Sequence, residues 1–217
     1  YNKIKQKSPR LLPFLLFKSI VKRINDLIFK LFIIFESFLK KIIIEKNYNP
    51  SKPNLFLGFH LTTEADFCLR GLPYIDQTFI VKSLSHVLPY GTTLYIREHP
   101  HWKETFKFKQ LYKISKFPNV RIISTDISIH KILKNCNGVL TYNATTGIEA
   151  LIYGKPVLSF SPNIYFDHHP AVDCCYDLYQ LGEKLTKLVN TKVNREDTIK
   201  YLRKMFRISN DIPMESE

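Results

Sequence analysis

The chain has 217 residues, enough for one ordinary α/β domain with an appendage and too few for two full domains. With 45% hydrophobic and 24% charged residues, wholesale disorder is excluded. A net charge of +13 points to an anionic partner, whether nucleic acid, an acidic membrane surface or a phosphorylated substrate. The excess is uneven: residues 1–50 hold eleven Lys/Arg and three acids, so about +8 sits in the first quarter and about +5 on the rest.

In chain order, residues 11–45 alternate short apolar bursts with Lys and Arg, and their longest uncharged run is Leu11–Phe17. That is far short of the roughly 18–20 residues needed to span a bilayer. From Ile20 to Ile44 the apolar positions recur at helical spacing with the lysines largely opposite, which predicts a basic amphipathic helix. Such a helix suits packing on a neighbouring domain or lying on an anionic membrane surface. Nucleic-acid binding is disfavoured, because Arg is sparse and no recognised module is present. The turn formers of Asn47–Pro53 read as a linker, so the chain divides into a helical segment over 1–50 and a domain over 51–217.

Strands are predicted at Asn54–Phe59, Thr92–Arg97, Val120–Ile123, Gly138–Thr141, Pro156–Ser159 and Val172–Tyr176. Helices are predicted at Tyr74–Leu88, Lys103–Ser115, Ser128–Asn135, Thr146–Tyr153, Leu178–Val189 and about Arg195–Arg207. This alternation implies an α/β fold with a doubly wound parallel sheet covered on both faces. Cys68, Cys136, Cys174 and Cys175 show no zinc-like spacing, and reduced thiols in the cytoplasm are the simple reading. No signal peptide is visible, and the opening Tyr1 suggests a piece of a longer protein.

Ligands of such folds bind beyond the carboxyl ends of the strands, and polar groups crowd four strand-to-helix junctions. The first holds His60, Thr62, Thr63, Glu64 and Asp66, and the second Arg97, Glu98, His99, Pro100 and His101. The third holds Ser124, Thr125 and Asp126. At the fourth, Thr145, Thr146 and Gly147 open a helix, a pattern suited to seating a phosphate on free N–H groups and hydroxyls. Glu149, one turn in, is placed to accept hydrogen bonds from ribose hydroxyls. Nothing resembles a D-x-D metal motif, and Asp167-His168-His169 reads as a loop, so no metal or other cofactor is expected.

The order R-E-H-P, P-N-V-R-I-I-S and T-x-x-x-T-T-G-x-E-A-L-x-x-G-K-P-V resembles the capsular polysaccharide biosynthesis proteins, from about Asn54 to Phe166. Their β-Kdo glycosyltransferase members have a GT-B architecture of two Rossmann-like halves. The resemblance implies that this chain is the second, donor-binding half, with the first missing upstream. It also implies a CMP-activated acidic sugar as donor, CMP-Kdo first, and a glycolipid or polysaccharide acceptor. Carried over by motif, Arg97, His99, Pro100, Ser124, Thr145, Thr146 and Gly147 would contact the nucleotide or its phosphate, and Glu149 the ribose. F-H-L-T-T-E keeps His60 and Glu64 of the relatives' H-Y-Q-P-E wording but lacks its Gln-Pro. Glu64 is the candidate catalytic carboxylate, with a donor-sugar contact or a helix start as alternatives. The expected setting is the cytoplasm, peripheral at the inner face of the cell membrane. Alternative readings are a UDP-sugar epimerase-like or polyol-phosphate transferase domain, or a non-catalytic fragment that binds a polysaccharide assembly partner.

Overall fold

Leu55-Phe56-Leu57 is an unbroken apolar run, and all three side chains are buried because the strand that carries them has a covered layer on each face. The computed structural model describes residues 12–60, 76–99, 106–142, 144–161 and 168–210. Its strands are β1 (Ile44–Glu45), β2 (Asn54–Gly58), β3 (Thr93–Arg97), β4 (Val120–Ile123), β5 (Gly138–Thr141), β6 (Val157–Ser159) and β7 (Val172–Cys174). Among the described residues they form one sheet in the order β1-β4-β3-β2-β5-β6-β7, every pair parallel. The helices are α1 (Leu12–Ile43), α2 (Gln77–Val87), α3 (Phe108–Ser115), α4 (Ile129–Asn135), α5 (Thr146–Ile152), α6 (Leu181–Asn190) and α7 (Arg195–Asn210), with a 3-10 turn at Leu178–Gln180. The doubly wound parallel sheet expected from the sequence is present.

Strand periodicity sorts the core into two layers. Leu55, Leu57, Leu94, Ile96 and Leu140 pack with Ile80 and Leu84 of α2, Leu111 of α3 and Leu185 of α6. Phe56, Tyr95, Val139 and Val157 point the other way, onto Ile132 of α4 and Ala150 and Leu151 of α5. Local chemistry sets the ends of the helices. Asp76 caps α2, its Oδ1 accepting from the amides of Thr78 at 3.0 Å and Phe79 at 3.1 Å. Gly154, at φ +68°, takes the left-handed conformation that stops α5 before β6.

The amino-terminal helix runs into the edge of the sheet. Ile44 and Glu45 pair with Ile122 and Ile123 of β4, so the sheet gains an edge strand that the sequence did not announce. Tyr48, within the expected linker, is buried and donates to Asn54 Oδ1 at 2.8 Å. Near its end α1 is fastened twice. Glu36 Oε2 accepts from the Phe108 amide at the start of α3 at 2.7 Å, and Lys40 Nζ lies 3.2 Å from Glu98 Oε1. Both members of the second pair are buried.

Candidate functional site

The order of strands defines where a ligand belongs. Successive crossovers run from β2 to β3 to β4 on one side, and then the chain returns to place β5 on the other side of β2. The direction of winding therefore reverses between β2 and β5, which leaves a crevice outside their carboxyl ends. A cleft of about 340 Å³ lies at that rim. Its walls come from the ends of β2 (Phe56, Gly58, Phe59, His60) and β3 (Arg97, Glu98, His99), and from Ala144, Thr145, Thr146 and Glu149 at the start of α5. Ile129 of α4 adds an apolar wall.

Each side chain is placed by a local device. The amide of Phe59 donates to the Arg97 carbonyl at 2.9 Å, extending the β2–β3 ladder one residue past the strand. Gln77, wholly buried at the start of α2, clamps the next residue on both sides of its backbone. The His60 amide donates to Gln77 Oε1 at 2.8 Å, and Gln77 Nε2 donates to the His60 carbonyl at 2.9 Å. The His60 ring meets Tyr142 edge to face at 5.2 Å between centroids. Burial, and then the nearby charge of His99, lower its pKa from 6.5 to about 4, so His60 is a neutral imidazole at neutral pH.

Arg97 is half-buried at the end of β3, where its Nη1 donates to the Ile127 carbonyl at 2.9 Å and its guanidinium lies 5.8 Å from the centre of the Phe56 ring. Burial lowers its pKa, while the carboxylate of Glu149 acts in the opposite direction. Those contacts fix the plane of a side chain whose rigid fork suits a phosphate or carboxylate. Behind it, burial raises the pKa of Glu98, against the pull of Lys40 and the Phe106 backbone.

The turn into α5 is held from the strand side. The Ala144 amide donates to Thr141 Oγ1 at 3.3 Å, and the Ala144 carbonyl accepts from the Gly147 amide at 2.9 Å. Thr145 occupies the cap position in a helical conformation without a side-chain cap bond, so its hydroxyl is not spent on the helix. Thr146 and Glu149 share its cleft.

Of the nucleotide-binding residues expected from the sequence, the structure brings five together, Arg97, His99, Thr145, Thr146 and Glu149, with His60 and Glu98 of the same junctions beside them. Gly147 does not line this cleft; it is buried in α5 and its N–H is bonded within the turn. Ser124 lines a neighbouring cleft of about 470 Å³ with Lys40, Lys41, Lys46, Thr125 and Asp126, and Glu98 stands in the wall of both. Glu64 and Pro100 lie outside the described residues. His169, read as part of a loop, has a structural place. Its Nδ1 accepts from the Ala171 amide at 3.0 Å and its Nε2 lies 3.2 Å from Thr198 Oγ1 of α7. Gln77 was missed, because a lone glutamine before an apolar run carries no signal that it will clamp a backbone 17 residues away.

Residues 71–169 match the family model described as capsule polysaccharide biosynthesis protein. The match begins after His60 and Glu64, later than the Asn54 start expected. No curated protein sequence matches the chain. Among solved structures, the fold is similar to the UDP-GlcNAc 2-epimerase of Methanocaldococcus jannaschii, with a TM-score of 0.51 and 17% identity, over 80% of this chain and 47% of that one. KpsC of Thermosulfurimonas dismutans, a β-Kdo 2,7 transferase, matches with a TM-score of 0.48 and 15% identity, over 80% of this chain and 63% of its own. Anabaena HepE, solved with UDP and glucose, matches at 0.47 and 11% identity, over 75% and 50%. The chain therefore spans between about half and two thirds of the length of these proteins, and the likeness is one of fold.

Proposed function

We propose that the cleft beyond β2, β3 and β5 binds the nucleotide of an activated sugar, and that the chain is the donor-binding unit of a glycosyltransferase in capsule or surface polysaccharide biosynthesis. The observation that carries this reading is the convergence of Arg97, His99, Thr145, Thr146 and Glu149 on one cleft at the switch point of the sheet. The family match over 71–169 supports the pathway, and the H-P pair of His99-Pro100 supports a CMP-activated acidic sugar, CMP-Kdo first.

In glycosyl transfer the bond from the anomeric carbon to the phosphate oxygen breaks, and the departing phosphate keeps the electron pair. An acceptor hydroxyl, on a glycolipid or polysaccharide, forms the new bond and gives up its proton to a base. Electrostatic stabilisation of the leaving phosphate is the main task of the donor side. Arg97 and His99 supply the charge-assisted donors, and the hydroxyls of Thr145 and Thr146 supply neutral ones. Glu149 accepts from ribose hydroxyls, and Ile129 and Phe59 flank the base. Glu64 is proposed as the carboxylate that takes the proton. The proposed setting is the inner face of the cell membrane.

Calorimetry with CMP, UMP and ADP tests the reading, with CMP expected to bind most tightly. His99→Ala should weaken CMP by about 1.5–3 kcal/mol, the range for a charge-assisted hydrogen bond. Thr146→Ala should cost about 1 kcal/mol, since other donors at the turn remain. Negligible heat with all three nucleotides would sink the proposal, and a preference for UMP would favour the epimerase-like alternative.

A further inference from the structure

α1 presents its apolar side away from the body of the protein. Glu36 and Lys40, which fasten it to α3 and to the loop after β3, fall on one face of the helix. Ile20, Ile24, Leu27, Leu31, Phe38 and Ile42 lie on the opposite arc at helical spacing, and each is between 50% and 69% exposed. A contiguous apolar stripe of that length marks a surface that meets something.

The charges on the helix say what. From Lys18 to Lys46 there are seven cations and three acids. Two of the acids are turned to internal use, Glu36 accepting from the Phe108 amide and Glu45 pairing with Arg121 at 3.2 Å. Arg23, Lys30 and Lys41, spaced by seven and eleven residues, fall in a row along one border of the apolar stripe. Two copies of the helix meeting stripe to stripe in antiparallel order would bring these rows of like charge together, whereas an anionic surface neutralises them. No helix among the described residues is long and apolar enough to cross a membrane, so the geometry is that of a helix lying in the interface.

We infer that α1 docks the protein on an anionic lipid bilayer, with Ile20, Ile24, Leu27, Leu31, Phe38 and Ile42 entering the acyl boundary and Arg23, Lys30 and Lys41 meeting the headgroups. This rests on the helix and gives the membrane setting proposed above its surface, while nucleotide binding stands or falls separately. Because Lys40, on the face opposite the stripe, pairs with Glu98 in the wall of the cleft, docking leaves that rim on the side of the helix turned away from the lipid.

The test is flotation of the whole 217-residue chain with vesicles of phosphatidylcholine alone and of phosphatidylcholine mixed with phosphatidylglycerol, at low and high salt. Binding is expected to need the anionic lipid and to weaken as salt screens the cations. Each cation removed should weaken it about fivefold, so the triple variant R23Q/K30Q/K41Q should lose about a hundredfold. The variant L27S/L31S/F38S should lose binding to every vesicle, and circular dichroism and CMP binding report whether its fold is kept. Equal binding to both vesicle types would overturn the proposal. So would a failure to float, with a dimer in sedimentation assigning the stripe to a second copy and a monomer assigning it to neither.

Discussion

The His60 ring is 7% exposed, and its reluctance to accept a proton ties the stability of the fold to pH. In the unfolded chain it takes up its proton near pH 6.5, and in the folded protein only near 4. Between those values the unfolded state binds more protons, so the ring's contribution is complete above about pH 6.5 and is lost as the pH falls through the interval. The full difference amounts to about 3 kcal/mol. Urea midpoints for the wild type and His60→Leu, compared at neutral pH and near pH 4.5, check this. The wild type should lose more stability than the variant on acidification, and parallel losses would show that His60 is not the group responsible. His169 acts in the same direction, since burial also lowers its pKa, with Asp197 opposing. Neutral His60 also leaves Arg97 as the permanent cation of the cleft.

At the scale of elements, the Lys40–Glu98 pair joins α1 to the turn that carries Arg97 and His99. Lys40→Met removes one partner and leaves a carboxylate buried without compensation, which should cost about 3–5 kcal/mol in urea unfolding. The double variant Lys40→Met/Glu98→Leu should regain most of that loss, because no orphan charge remains. A single-variant cost below about 1 kcal/mol would mean that the pair does not anchor the helix. This link was not legible in the sequence, where a lysine on a basic helix reads as part of a solvated face. The strands were legible: Val120–Ile123 and Gly138–Thr141 were placed to the residue, since short apolar runs between turn formers have one reading in an alternating chain. β1 was not, because two residues after a long helix carry no period of two. α1 begins at Leu12 rather than Ile20, because Pro13 sits in the first turn, where its missing N–H costs nothing. The junction rule found Arg97, His99, Thr145, Thr146 and Glu149, yet it also proposed Ser124. Ser124 follows β4, which lies two strands from β2, on the side away from the point of reversal, and lines the neighbouring cleft. Local pattern gives the strands but not their order in the sheet, and that order decides which junctions share a cleft.

At the scale of the whole molecule, two regimes of stability share one chain. The sheet is sealed on both faces, with Leu55, Leu57, Leu94, Ile96, Val139 and Leu140 fully buried. Over residues 18–32 of α1 every side chain is exposed, so that half of the helix draws no stability from packing on the body. Short helical stretches without tertiary support are marginal in water, even when built of good helix formers. Their amides open locally at far lower free energy than those of a sealed core. Hydrogen exchange of the free protein should therefore show residues 18–32 exchanging at least about tenfold faster than β2, β3 and β5. The segment from Glu36 onward, held by its two anchors, should fall between these limits. Anionic vesicles should slow exchange across 18–32 and leave the sheet unchanged, because the bilayer supplies the apolar contact that the body of the protein does not. Protection of 18–32 equal to that of the sheet in the absence of lipid would show that the stripe is already covered in solution.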